Sequence, residues 1–285
     1  MEEERIALVQ LKADINVTGK TLASWVDDKK SNCCEWLGVA CSNITRRVVD
    51  LAFTYERDYR IGYWYINASV FLPLQQLNVL RLEGNYLVGA NQHITTNGDG
   101  LNIWEDFIKY IFTYPFCSTS ELEDMFTGFD KLAELQNLEV LNLAYNNLDR
   151  SILSSLSHLS SLKELLLTGN SLHSALDNPG HGRLSRLSNL EILAMGSTMM
   201  EDKNVLSALN LKDFTSLKEL YIGSNNFQIF GPINDINALN NLEDLNLGFN
   251  FIEGFETIAN FSGELVSCNY SLITFFMTYI FSLIF

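Results

Sequence analysis

The sequence predicts an α/β fold: a right-handed solenoid with a parallel β-sheet on its concave face, short helical or 3₁₀ turns on its convex face, and a helical cap at its N-terminus. Three observations predict it. First, the pattern LxxLxLxxNxL recurs at 77–87, 138–148, 162–172, 217–227 and 242–252, with a degenerate copy, LEILAMGSTMM, at 190–200. Second, from the second copy onward the starts lie 24, 28, 27 and 25 residues apart, a period typical of stacked solenoid units. Third, residues 2–16, EEERIALVQLKADIN, place Leu8, Leu11 and Ile15 on one helical face with acids in the first turn, which predicts an amphipathic helix before the repeats begin.

The elements follow in order. Residues 1–47 form the cap: the helix, then LASWVDDKKSNCCEWLGVACS at 22–42, in which Trp25, Trp36 and the cluster Cys33, Cys34, Cys41 precede a first strand at VVDLAF, 48–53. Residues 48–87 hold the first repeats and 132–264 the remaining leucine-rich repeats. Within each unit the LxL alternation is a strand, so Leu141 and Leu143 point inward and Asn142 outward. The asparagine of the pattern (Asn146, Asn170, Asn225, Asn250) stands where the chain leaves the strand, where its amide can bond backbone groups of the turn and of the next unit. One unit buries too little apolar surface to offset the entropy of ordering it, so stability comes from stacking and the ends need caps. Return segments such as SILSSLSHLSSL, 151–162, and GRLSRLSNL, 182–190, have apolar residues three or four apart, the spacing of short helical turns.

Two segments break the pattern. Residues 88–131 contain no second LxxLxL, although the 61 residues from Leu77 to Leu138 would hold two ordinary units. A loop-out island, an irregular unit and translated non-coding sequence all fit. Residues 265–285 are almost wholly apolar over the final 14. A bilayer span takes about 20 such residues, and no Lys or Arg follows to hold a cytoplasmic end. A marginal membrane anchor, a cleaved tail with small residues near Ser262 and Gly263, and an abnormal terminus compete, the last being preferred. Any membrane association would run through this tail alone. No secretory signal is visible: either the chain starts after one, or it never enters the secretory route.

A concave sheet leaves its outward residues selectable without disturbing the core. The pattern assigns Val79, Arg81, Glu83; Val140, Asn142, Tyr145; Glu164, Leu166, Thr168; Ile192, Ala194, Ser197; Glu219, Tyr221, Ser224; and Asp244, Asn246, Phe249 to that surface. Tyr145, Tyr221 and Phe249 are its aromatic anchors. Among these, Arg81, Asn142, Tyr145, Glu164, Thr168, Glu219, Tyr221, Asp244, Asn246 and Phe249 are the candidate ligand contacts. For any single position, simple solvation is the competing reading. With 19 basic and 34 acidic residues the formal charge is −15, which disfavours nucleic acid and anionic membranes. The acidic column Glu164, Glu219 and Asp244 points to a basic peptide or protein segment.

Catalytic constellations are absent from the sequence: no GxGxxG, GxxxxGK[ST], HExxH or GxSxG, and no kinase signature set. His173, Asp177 and His181 are spaced at four, but Pro179 and Gly180 break the helix that would align them on a metal. Neither an enzyme, a metal site nor a cofactor is expected.

The order helix, tryptophan, CCxWxGVxC resembles the N-terminal cap of plant cell-surface leucine-rich-repeat proteins, the receptor-like proteins and receptor-like kinases. ERIALVQLKADI and RIGYWYINASVFLPLQQL (60–77) are most similar to the receptor-like proteins. The resemblance covers residues 3–87 and 132–252. It implies two disulfides in the cap, but the chain begins with Met1 where that group has a cysteine. Cys34 and Cys41 stay as a pair, and Cys33 lacks a partner. A cytosolic protein would instead keep these thiols reduced and buried. Five N-x-S/T sequons, at Asn16, Asn43, Asn67, Asn260 and Asn269, argue for a secreted, glycosylated surface. The resemblance further implies an extracellular or plasma-membrane setting, a peptide, protein or glycan ligand on the concave face, and signalling in defence or development through a partner receptor kinase. The alternatives are a polygalacturonase-inhibitor-like secreted protein and a truncated, non-signalling receptor fragment.

Overall fold

The computed structural model describes residues 2–15, 22–88, 129–172, 184, 186–200, 213–225, 239 and 241–250, together with the backbone of 228–230 and 251–253. Helix α1, Glu2–Ile15, leads into strands β1, Val39–Cys41, and β2, Val48–Ala52. Then come β3, Val79–Arg81; β4, Val140–Asn142; a one-turn helix α2, Ile152–Leu156; and β5, Glu164–Leu166. Strands β6, Ile192–Ala194; β7, Glu219–Tyr221; β8, Gln228–Phe230; β9, Asp244–Asn246; and β10, Phe251–Glu253 complete the described set.

Eight strands form one sheet in the order β1-β2-β3-β4-β5-β6-β7-β9. β1 pairs antiparallel with β2, and every later pairing in this sheet is parallel and in step: Leu80, Leu141, Leu165, Leu193, Leu220 and Leu245 form one continuous row. These leucines, and those two residues on such as Leu82, Leu143 and Leu167, are buried. β8 and β10 make a separate parallel pair. The predicted solenoid is the fold observed. On the return side the chain turns through 3₁₀ segments at Ala68–Phe71 and Phe129–Glu134 and through α2, whose Ile152, Leu153 and Leu156 are buried. In the segment 182–190 the described residues form turns, and Leu184, Leu187 and Leu190 still fill the interior.

Parallel three-residue strands satisfy few backbone groups by themselves, and the asparagines supply what is missing. Asn146 Nδ2 donates to the carbonyls of Leu82, Leu143 and Ala144, while its Oδ1 accepts from the N–H groups of Asn85 and Leu87. Each amide thereby ties its own turn to the unit before it. Asn85, Asn170, Asn225 and Asn250 repeat the arrangement. In the degenerate unit Thr198 holds the place of the asparagine, its hydroxyl lying 2.9 Å from the Met195 carbonyl and 3.0 Å from Asn225 Oδ1. A hydroxyl has one proton, so it serves one of these acceptors at a time.

The cap is built on the expected helix. Leu8, Leu11 and Ile15 are buried, the acids Glu2, Glu3 and Glu4 open the first turn, and Lys12 in the last turn donates to the Trp25 carbonyl. The polar side of α1 is more enclosed than its pattern predicts. Glu4 is buried against Arg47 Nε at 2.8 Å, and Arg5, also buried, reaches Glu2 and Asp27. Trp25 stacks on Trp36 with ring centroids 5.7 Å apart and meets Phe53 edge-on at 6.2 Å. Arg57 closes the helix C-terminus: its buried guanidinium donates to the carbonyls of Asp14, Ile15, Gly62 and Tyr63. A cation there meets the negative end of the helix dipole and occupies last-turn carbonyls that have no partner within the helix.

Candidate binding face

The register sorts the outward residues into rows that run across the repeats. One row reads Asp50, Val79, Val140, Glu164, Ile192, Glu219, Asp244, and the next reads Ala52, Arg81, Asn142, Leu166, Ala194, Tyr221, Asn246. The alternation predicted from LxL therefore holds. Its consequences differ between the two halves of the sheet.

Toward the N-terminal end the polar groups satisfy one another. Arg81 Nη1 donates to both oxygens of Asp50, at 2.8 and 2.9 Å. Glu83 accepts from the Tyr55 hydroxyl and from Asn142 Nδ2, each at 3.0 Å. Asn142, expected as an open contact, is buried under this network and also accepts from the Ala144 N–H. That corrects the expectation: a short amide between Arg81 and Leu166 is covered by the longer side chains beside it. Partial loss of water around its hydroxyl, followed by the bond to Glu83, raises the Tyr55 phenol above its ordinary pKa.

Toward the C-terminal end the face is acidic. Glu219 and Asp244 are direct neighbours, with Glu164 two strands away beyond Ile192. The Tyr221 hydroxyl sits between the two acids, 3.0 Å from Glu219 Oε2 and 2.8 Å from Asp244 Oδ2. One proton serves two carboxylates there. Burial and both acids push the phenol pKa up, because ionisation would add a third negative charge. Asn246 is half-buried and accepts from the Gly248 N–H, and Thr168 is half-buried with its carbonyl bonded to Tyr145 N–H.

A second correction concerns Tyr145, Ser197, Ser224 and Phe249. The outward position after the strand belongs to Ala144, Gly196, Gly223 and Gly248. The four named residues follow one step later, at positive φ between 53° and 58°, where the backbone turns out of the sheet. They line its rim, where Tyr145 and Phe249 are exposed. Asp50 and Tyr55 were not among the sequence candidates, because the 48–56 segment lacks the diagnostic asparagine. Its Leu51 and Phe53 alternation was the available signal.

In the cap, Cys34 and Cys41 form a disulfide, as the resemblance implied, and Cys33 is a buried free thiol. Burial first, then nearby Glu4, raises its pKa, so it stays protonated and unreactive at neutral pH. Asn43 is exposed; Asn67 is half-buried and caps its turn by accepting from the Ser69 N–H at 3.0 Å. Asn16, Asn260 and Asn269, the 89–128 part of the irregular insertion, the apolar tail at 265–285, and the His173, Asp177, His181 trio lie outside the described residues. Among the described residues, no group of three or more His, Cys, Asp or Glu is placed to hold a metal ion, and no helix is long and apolar enough to cross a membrane.

Residues 1–42 match the family described as Leucine rich repeat N-terminal domain, and residues 137–159 match Leucine Rich Repeat. Cuscuta receptor 1 of Solanum lycopersicum is 31% identical over 268 residues, covering 89% of this chain and 20% of that protein. Receptor-like protein 13 of Arabidopsis thaliana is 27% identical over 271 residues, covering 85% and 22%. The chain thus spans about a fifth of the length of these relatives. Among solved structures, the ectodomain of the Arabidopsis receptor kinase HAESA, in complex with an N-terminally extended IDA peptide hormone ligand, matches with a TM-score of 0.52 and 22% identity over 88% of this chain and 38% of that one. The PEPR1–AtPEP1 structure matches with a TM-score of 0.52 and 19% identity, covering 88% and 32%. At these identities the structural likeness speaks to the fold.

Proposed function

Because the chain is a leucine-rich-repeat solenoid whose relatives include plant receptor-like proteins, we propose that it is a non-catalytic recognition module, binding a cationic peptide or protein segment on the C-terminal half of its concave sheet. One observation carries this reading: Glu219, Tyr221 and Asp244 converge on adjacent strands, two carboxylates sharing one phenolic proton. A Lys or Arg side chain laid there supplies the positive charge and the further donors that this group lacks. The rigid ladder beneath keeps the three side chains in place before any ligand arrives, which lowers the entropy lost on binding. Cell-surface location, glycosylation at the sequons and signalling through a partner receptor kinase belong to the same proposal. They are supported by the relatives being receptor-like proteins and by the exposed Asn43. That the HAESA ectodomain was solved with a peptide hormone ligand supports the ligand class.

The test uses the full chain secreted from a plant host, titrated with an Arg- and Lys-containing peptide and with a sequence-matched neutral control. Binding of the basic peptide alone is expected, weakening as salt rises. Glu219→Gln and Asp244→Asn should each weaken it by about three- to tenfold, with the melting temperature unchanged. Equal binding of both peptides, or indifference to both substitutions, would remove the proposal.

A further inference from the structure

The rim row that follows the strands reads Tyr55, Gly84, Tyr145, Gly169, Ser197, Ser224, Phe249, one residue per strand of the main sheet from β2 to β9. Its first four members alternate aromatic and glycine, and the alternation is a packing device. The Tyr55 ring lies on Gly84, where an added Cβ would stand 2.3 Å from its Cδ1 and Cε1. The Tyr145 ring lies on Gly169 in the same way, with the corresponding approach 2.6 Å. Each glycine is the seat of the ring before it. Seated on one face, the rings turn the other toward solvent, and Tyr55 and Tyr145 are 62% and 54% exposed. Two strand spacings separate them, with β3 between, so at about 4.8 Å per spacing the rings repeat at roughly 9 to 10 Å.

We infer that this rim is a second binding site, distinct from the acidic patch, for an extended, uncharged β-1,4-linked glycan lying across the repeats. Both faces of an equatorially substituted sugar ring present axial C–H groups, which pack on an aromatic face, while its hydroxyls project from the edge. Two sugars of an extended β-1,4 chain advance by about the ring-to-ring distance, so alternate sugars meet successive tyrosines. The neighbouring polar groups favour an uncharged partner. Arg81 is already paired with Asp50, and Glu83 already accepts from Tyr55 and Asn142. An anionic segment would be repelled by the charge that Glu83 keeps, whereas sugar hydroxyls can donate to its carboxylate without displacing Tyr55 or Asn142.

The full chain is titrated with cellobiose, cellohexaose and, as a control that coils instead of extending, maltohexaose. Saturable binding of cellohexaose is expected, stronger than that of cellobiose because only the longer chain reaches both rings, with maltohexaose weaker. Tyr55→Asn and Tyr145→Asn remove the rings but suit a left-handed backbone, so each should weaken cellohexaose about tenfold without loss of stability. Tyr145→Phe, which keeps the ring, should bind as the parent does. Saturation-transfer contacts between sugar protons and these rings test the unmutated protein directly. Glu219→Gln should leave glycan binding unchanged, which separates this site from the peptide proposal. No saturable cellohexaose binding, full binding by both Asn variants, or a basic peptide lost in those variants with no glycan bound would each overturn the inference.

Discussion

Replacing Asn146 with alanine should lower unfolding stability by about 3 to 5 kcal/mol, although the substitution removes no apolar contact. The amide serves five backbone groups, and alanine leaves the N–H groups of Asn85 and Leu87 and the carbonyl of Leu82 unpaired in a buried turn, while the Leu143 carbonyl keeps its bond from Asn170. Each orphaned group costs about 1 to 3 kcal/mol, and some recover part of it through local relaxation. In a stack where each unit touches only its neighbours, the damage also uncouples the units on either side. Chemical denaturation followed by circular dichroism should therefore show an earlier and broader transition. Asn146→Thr should cost less, since Thr198 already fills the same role with a single hydroxyl in another unit. An alanine variant as stable as the parent would show that water satisfies these groups and that the ladder is dispensable.

Trp25→Ala should cost a similar amount, about 3 to 5 kcal/mol, by emptying the centre of the cap. The ring is 1% exposed, stacked on Trp36 and edge-on to Phe53, and its Nε1 donates to the Leu37 carbonyl at 2.8 Å. Phe53 follows β2 directly, so the cavity opens at the junction of cap and sheet. α1 should then loosen from the first repeat, and limited proteolysis within residues 22–47 should become fast. Trp25→Phe keeps most of the packing and strands only the carbonyl of exposed Leu37, so about 1 to 2 kcal/mol is expected. Protease resistance equal to the parent in the alanine variant would mean that the Cys34–Cys41 disulfide and the Glu4–Arg47 pair hold the cap without the aromatic stack.

Much of this molecule is legible in one dimension because its fold is nearly one-dimensional. A leucine two residues from the next must share a face with it in a strand, and equal spacing must stack like positions. The inward rows, the asparagine ladder and α1 follow directly. The face chemistry is less legible. Asn142 reads as an outward residue and is one, yet Glu83 covers it from the adjacent unit, 59 residues earlier in the chain. Tyr145 and Phe249 read as strand residues and stand on the rim, because the backbone turns at a position the pattern marks only with x. Thr198 gives no sign of replacing an asparagine until its turn is seen beside Asn225.

The repeat alone determined that this is a stacked, parallel-stranded coil with a leucine interior, and residues 2–42 alone determined a helical, tryptophan-bearing cap, since burial of apolar side chains depends on local periodicity. Only the tertiary structure decided which outward groups remain available. Availability depends on distances between side chains of different units, such as Tyr55 and Glu83 or Tyr221 and Asp244. No spacing along the chain encodes those distances.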